Sequence, residues 1–155
     1  MSEYTLQIMS SLKIVWVAIS SLQYGLGGIS NKWIRRFILP VWMGLGIWVF
    51  GTWSGTFSLL QLLYVPLLCA SLHFGYGGTD NVWIKIRKRA IYGLALGVSA
   101  VPICIVSSLW WLFAIHVGCC IMGSVLLGVF NKTRSARDEE SLIAAFSTVL
   151  VLFLI

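Results

Sequence analysis

Charge enters this chain almost only at every second break between its apolar segments. Ten of the eleven Lys and Arg residues fall in three short clusters: Lys32, Arg35 and Arg36; Lys85, Arg87, Lys88 and Arg89; Lys132, Arg134 and Arg137. The clusters follow the first, third and fifth apolar segments. The connections between them, GTWSG at 51–55 and SS at 107–108, carry no charge. Lys and Arg gather on the cytoplasmic side of membrane proteins, because translocating them is unfavourable. The alternation therefore predicts a multi-pass membrane protein with its basic loops in the cytoplasm and both termini on the non-cytoplasmic side.

Composition agrees. The chain is 59% hydrophobic and 10% charged, where a soluble domain carries about 25% charged residues. Such a chain cannot cover itself with polar surface. A spanning helix needs roughly 20 mostly apolar residues. Six segments come close: 5–23, 37–53, 57–73, 90–106, 109–129 and 141–155. Interfacial residues ahead of each even-numbered segment are expected to lengthen it by a turn. The expected fold is an all-α integral membrane protein in a single domain, 1–155. The N-terminus, MSEYTLQIMSSLKIVWVAISSL, lacks a basic region followed by a small-residue cleavage site, so the first helix is expected to stay.

The chain also repeats itself. SLQYGLGGISNKWI (21–34) returns as SLHFGYGGTDNVWI (71–84), with eight of fourteen positions identical. A further step of 50 residues reaches Gly128 and Asn131. Three helical hairpins, about 1–50, 51–105 and 106–155, are the expected units. Glycine accepts the left-handed backbone that ends a helix. Asparagine caps the next one by accepting from its free N–H groups. Trp33 and Trp83 follow at interfacial depth. Mechanically, the phrase is a stop followed by a start.

The starts differ in charge. A helix N-terminus is partly positive and suits acids. The last segment obeys with Asp138, Glu139 and Glu140, behind a capping-box variant at Ser135–Asp138. The second and fourth begin NKWIRRF and NVWIKIRKR. Cations beside free N–H groups suit an anion. Gly27, Gly28, Asn31, Arg35 and Arg36 form one candidate site for a lipid phosphate or other anion, and Gly77, Gly78, Asn81, Arg87 and Arg89 a second. His73 with Asp80 is a weaker acid–base candidate on such a lipid. Gln23 and Ser30 replace them in the first copy, so that site would be single.

Within the apolar segments, ionisable and polar groups are functional candidates. Lys13, Gln61 and His116 fall one to each odd-numbered segment, and together they would line a polar pathway. Lys13 can instead snorkel to the outer interface. Small residues at Gly44, Gly46 and Gly51, at Gly93, Ala95 and Gly97, and at Gly118, Gly123 and Gly128 favour close helix packing or a subunit interface. Pro40, Pro66 and Pro102 add little, because kinks suit channels and plain bundles alike. Cys69, Cys104, Cys119 and Cys120 read as small apolar groups, without disulfide or metal-ligand spacing.

No GxSxG, HExxH or phosphate-binding loop is present. No metal or cofactor is expected. The net charge of +6 reads as a topology signal and an attraction to anionic phospholipids; no nucleic-acid partner is implied. The leading expectation is a channel, pore or small-solute transporter. The alternatives are a membrane-embedded assembly or holin-like subunit, as a homo-oligomer or in a larger complex, and, behind both, an enzyme on phospholipid headgroups.

Overall fold

The computed structural model describes residues 2–25, 32–73 and 81–130. Six α-helices and one 3-10 turn make up these residues, and no strand occurs among them. The helices are α1 (Glu3–Gly25), α2 (Lys32–Ser54), α3 (Tyr64–His73), α4 (Val82–Val98), α5 (Val101–Ser107) and α6 (Trp110–Phe130); the 3-10 turn, Leu59–Leu63, leads into α3. The segment 141–155 and the turn residues Gly27, Gly28, Asn31, Gly77 and Gly78 lie outside the described residues.

Among the described residues, two helices are long and apolar enough to cross a membrane: Phe37–Ser54 within α2, and Val82–Ser107, which joins α4 to α5. α2 begins at Lys32, ahead of its apolar span, and α4 at Val82, the first residue of its own. The basic residues are thus part of the helices. Leu59–Leu72 and Trp110–Leu126 are apolar but shorter.

Two local chemistries shape the path. At the end of α2, Gly55 takes φ +75°. Thr56 N–H donates to Gly51 O at 2.9 Å and Gly55 N–H to Thr52 O at 3.3 Å. That is a Schellman stop, which needs a left-handed residue. Between α4 and α5, Pro102 has no N–H to donate and its ring crowds the carbonyl four residues back. The helix breaks there. Ala100 N–H turns to Gly97 O at 3.2 Å, and Ser99 Oγ donates to Leu96 O at 2.6 Å.

The third segment departs from a plain spanning helix. Its α-helical part is only ten residues. Ahead of it, Ser58 and Gln61 form a reciprocal capping box: Leu60 N–H donates to Ser58 Oγ, and Ser58 N–H donates to Gln61 Oε1 at 3.0 Å. Ser-x-x-Gln before an apolar run is a helix start, so the α-helix begins late.

The core lies where α2, α3 and α4–α5 meet. Leu39, Met43 and Ile47 of α2 and Tyr64, Leu68 and Leu72 of α3 are buried at four-residue spacing, the period that keeps side chains on one helix face. Leu96 and Ile103 face them from α4 and α5. The buried stripe of α2 (Leu39, Met43, Gly46, Ile47, Phe50) has a counterpart 50 residues on in Arg89, Gly93, Leu96, Gly97 and Ala100, all buried.

Candidate functional site

Lys13, Gln61 and His116, the three polar residues expected to line a pathway, have separate surroundings. Gln61 is 1% exposed and its carbonyl oxygen closes the Ser58 cap. His116 is buried, and its ring nitrogens lie 3.6 and 3.8 Å from Cys120 Sγ, one turn along α6. Lys13 sits with its Nζ 6.0 Å from the centre of the Phe50 ring, at the edge of cation–π range. Among the described residues, no hydrogen bond joins any two of the three. The sequence places them on odd-numbered segments, but it does not reveal which face each occupies.

The depth of Lys13 follows from the pairing of α1 with α2. Trp16 lies against Gly46 and stacks on Trp42, while Lys13 lies over Phe50. The helices are antiparallel in this register. Lys13 is therefore level with Phe50, four residues inside the Ser54 end of α2, or roughly 6 Å by the helical rise. A lysine stem is long enough to cover that distance.

At the start of α4, Asn81 Oδ1 accepts from Trp83 N–H at 3.0 Å and Ile84 N–H at 3.3 Å. The expected cap is present, and Asn81 itself occupies two of the N–H groups that an anion would use. The following cations are not gathered on one face. Arg87 is exposed, whereas Arg89 is 7% exposed. For Arg35 and Arg36 the structure describes helix position only.

The closest packing lies between α4 and α6. A Cβ on Gly93 would stand 2.5 Å from the Cys120 carbonyl oxygen and 2.7 Å from Ile121 Cα; one on Gly97 would stand 2.8 Å from Val117 Cα. These are backbone contacts, which only glycine permits. Beside them Ser124 Oγ donates to the Arg89 carbonyl at 2.9 Å. His116, Cys120 and Ser124, all buried, recur every fourth residue and form a polar row down this antiparallel seam. The sequence showed the glycines as small; the serine gave no signal beyond its four-residue spacing from Cys120. On the other side of α4, Ser71 Oγ donates to Ala95 O at 3.0 Å and Leu67 O at 2.8 Å.

The four cysteines are unbridged: Cys104 and Cys120 are buried, Cys69 is half-buried and Cys119 is exposed. No group of three His, Cys, Asp or Glu side chains lies close enough to hold a metal among the described residues.

Comparison with known proteins finds no matching family and no significant match to a curated sequence or to a solved structure.

Proposed function

We propose that the chain is an integral membrane protein of six spans in three hairpins, basic turns in the cytoplasm and both termini outside. Within the membrane it serves as an assembly subunit that binds lipid or other subunits, rather than as a conduit. The observation that carries the membrane part is the outward-facing apolar surface. Val41, Leu45 and Trp48 of α2, Ile91, Leu94 and Val98 of α4, and Ile115 and Met122 of α6 are all exposed. In water such a surface is unfavourable; in hydrocarbon it is solvated, and helices satisfy their own backbone groups there. Trp33 and Trp53 stand 20 residues apart in α2, roughly 30 Å at about 1.5 Å per residue, the thickness of a hydrocarbon core. Trp83, at the start of α4, is 79% exposed, as suits an interfacial ring. The matching buried stripes of α2 and α4 support the repeat.

The assembly role is favoured over conduction by the fate of the polar groups. Gln61 caps a helix, Lys13 lies over the Phe50 ring and His116 is paired along its own helix. The seam is built for close contact through Gly93 and Gly97. Conduction keeps one supporting observation, the buried row His116, Cys120, Ser124.

Single cysteines in a cysteine-free background test the topology. Thr56→Cys and Ser108→Cys should react with an impermeant maleimide added outside cells. Ile29→Cys, Thr79→Cys and Thr133→Cys should react only in everted vesicles. The reverse pattern overturns the orientation, and uniform labelling overturns the spans. Liposome flux then separates the roles: saturable flux abolished by His116→Ala overturns the assembly reading.

A further inference from the structure

Beyond an assembly role, we propose that His116 and Cys120 bind one soft monovalent metal ion, copper(I), as a thiolate–imidazole pair inside the α4–α6 seam. Both side chains are more than nine-tenths buried, at 5% and 7% exposed. One turn of α6 separates them, so they share a helix face. Cys120 Sγ lies 3.6 Å from His116 Nε2 and 3.8 Å from Nδ1. Protein nitrogen and sulfur hold a metal at roughly 2.0–2.3 Å each, so one ion bridges a gap of up to about 4 Å between two such atoms. A small rotation of the ring then supplies either nitrogen.

The donor set selects the ion. Thiolate favours copper(I) and zinc, and imidazole suits both metals. Zinc takes three or four protein ligands, and no third His, Cys, Asp or Glu lies close enough among the described residues. Charge selects it again, and here the inference rests on the membrane reading. Cys120 is the middle residue of α6, half-way along that span, where an uncompensated charge is costly. Copper(I) replaces the thiol proton one for one. The S–H bond breaks, an S–Cu bond forms, the proton leaves to solvent, and a lone pair of the neutral imidazole completes the ligation. The pair is neutral before and after, and no electron is transferred. A divalent ion would leave one positive charge in hydrocarbon. From the sequence, the cysteines read as small apolar groups; the pairing needs both side chains on one buried face, which an apolar helix does not mark.

The test uses the full chain, purified in mild detergent without oxygen or added thiols, and titrated with copper(I) held by a chromogenic chelator. One ion should bind per chain, and X-ray absorption should show copper with one sulfur and one nitrogen neighbour. Cys120→Ser should weaken binding at least 100-fold and His116→Ala at least tenfold, since losing even an outer-shell partner of a metal site costs about 10–100-fold. Cys119→Ser, at the exposed neighbouring thiol, should leave binding unchanged. Copper(I) should also raise the SDS fraction at which the wild-type protein unfolds, as a ligand of the native state does, and this shift should vanish in Cys120→Ser.

No uptake by the wild-type protein, or a copper spectrum without sulfur, overturns the proposal whether or not the variants fold; the two side chains then share a hydrogen bond and nothing more. Binding lost in Cys119→Ser but kept in Cys120→Ser overturns it in favour of the exposed thiol. Zinc bound as tightly as copper(I) overturns the neutral pair. The maleimide pattern is independent of all these outcomes, so the site can fail while the membrane reading stands.

Discussion

The chain joins helices in two different ways. α1 meets α2 through aromatic rings: Trp16 stacks on Trp42 at 4.0 Å between centres and meets Phe50 edge-on at 5.6 Å. Gly46 makes room for the indole. Most other positions of α1 are exposed. α4 meets α6 backbone against backbone at Gly93 and Gly97. In lipid, association gains little from burying apolar surface, since lipid tails are as apolar as leucine; close contact and polar bonds supply the affinity. The larger side chains therefore make the looser joint. Among the described helices, α1 is expected to separate most easily from the bundle, and α4–α6 to be the seam on which the rest depends.

The largest effect should come from breaking the seam. Gly93→Leu forces α6 away from α4, because the atoms in the way are the Cys120 carbonyl and Ile121 Cα, which no rotamer change moves. Overpacking of this kind costs about 3 kcal/mol or more where the backbone cannot yield. Unfolding by SDS in mixed micelles should show the loss. Gly93→Ala should already be clearly destabilising. If Gly93→Leu unfolds at the wild-type SDS fraction, the seam is not the main joint and the comparison fails.

How far this seam was legible beforehand depends on the residue. The small residues at 93 and 97 stood out in the sequence, and so did the start of α4, where Asn81 caps the helix as its type and position imply. Helix faces were not legible. An apolar helix in lipid has no polar face to mark its orientation, so nothing in the sequence separates the inward Arg89 from the outward Arg87. Gln61 looked like an intramembrane polar group. The Ser58-x-x-Gln61 spacing was the missed signal, hidden inside a run otherwise apolar enough to read as a span. Pro102 was visible, but its effect depends on position: Pro40 lies within the unbroken α2, whereas Pro102 follows the Ser99–Ala100 break.

A second prediction concerns the looser joint. Trp16→Ala removes one stacked and one edge-on aromatic contact, each worth about 0.5–1.5 kcal/mol beyond area burial. The expected loss is about 2 kcal/mol, less than at Gly93 because lipid fills the space. The loss should be confined to α1: amide exchange should rise at Met9–Trp16 while α4 and α6 stay protected. Equal deprotection across the bundle would show that α1 is not a separable helix.

Gly46→Ala sharpens the contrast with Gly93→Ala, because the two changes add the same methyl group. The new Cβ would stand 2.8 Å from Trp16 Nε1, an atom of a side chain that can tilt. The expected cost is under about 1 kcal/mol. The ratio of the two alanine costs measures how far backbone contact exceeds side-chain contact as the constraint.

The smallest expected effect tests whether the seam depends on its hydrogen bond or only on its closeness. Ser124→Ala removes the donor to the Arg89 carbonyl and leaves both glycine contacts in place. That carbonyl lies in the body of α4 and keeps its place in the helical ladder, so it is not orphaned by the change. Interhelical hydrogen bonds in membranes average about 0.6 kcal/mol, and a loss of that order is expected. Ser71→Ala provides the control on the other side of α4. Its hydroxyl is shared between Leu67 and Ala95, so part of its bond is internal to α3 and its removal should weaken the α3–α4 contact less than Ser124→Ala weakens α4–α6. The double variant Gly93→Ala with Ser124→Ala then decides between the two sources of affinity. If α6 has already moved away, the serine has no carbonyl left to reach, and its removal costs nothing further. Additive losses would mean instead that the hydrogen bond survives the separation, and that contact through the glycines is not what holds the helices close enough to form it.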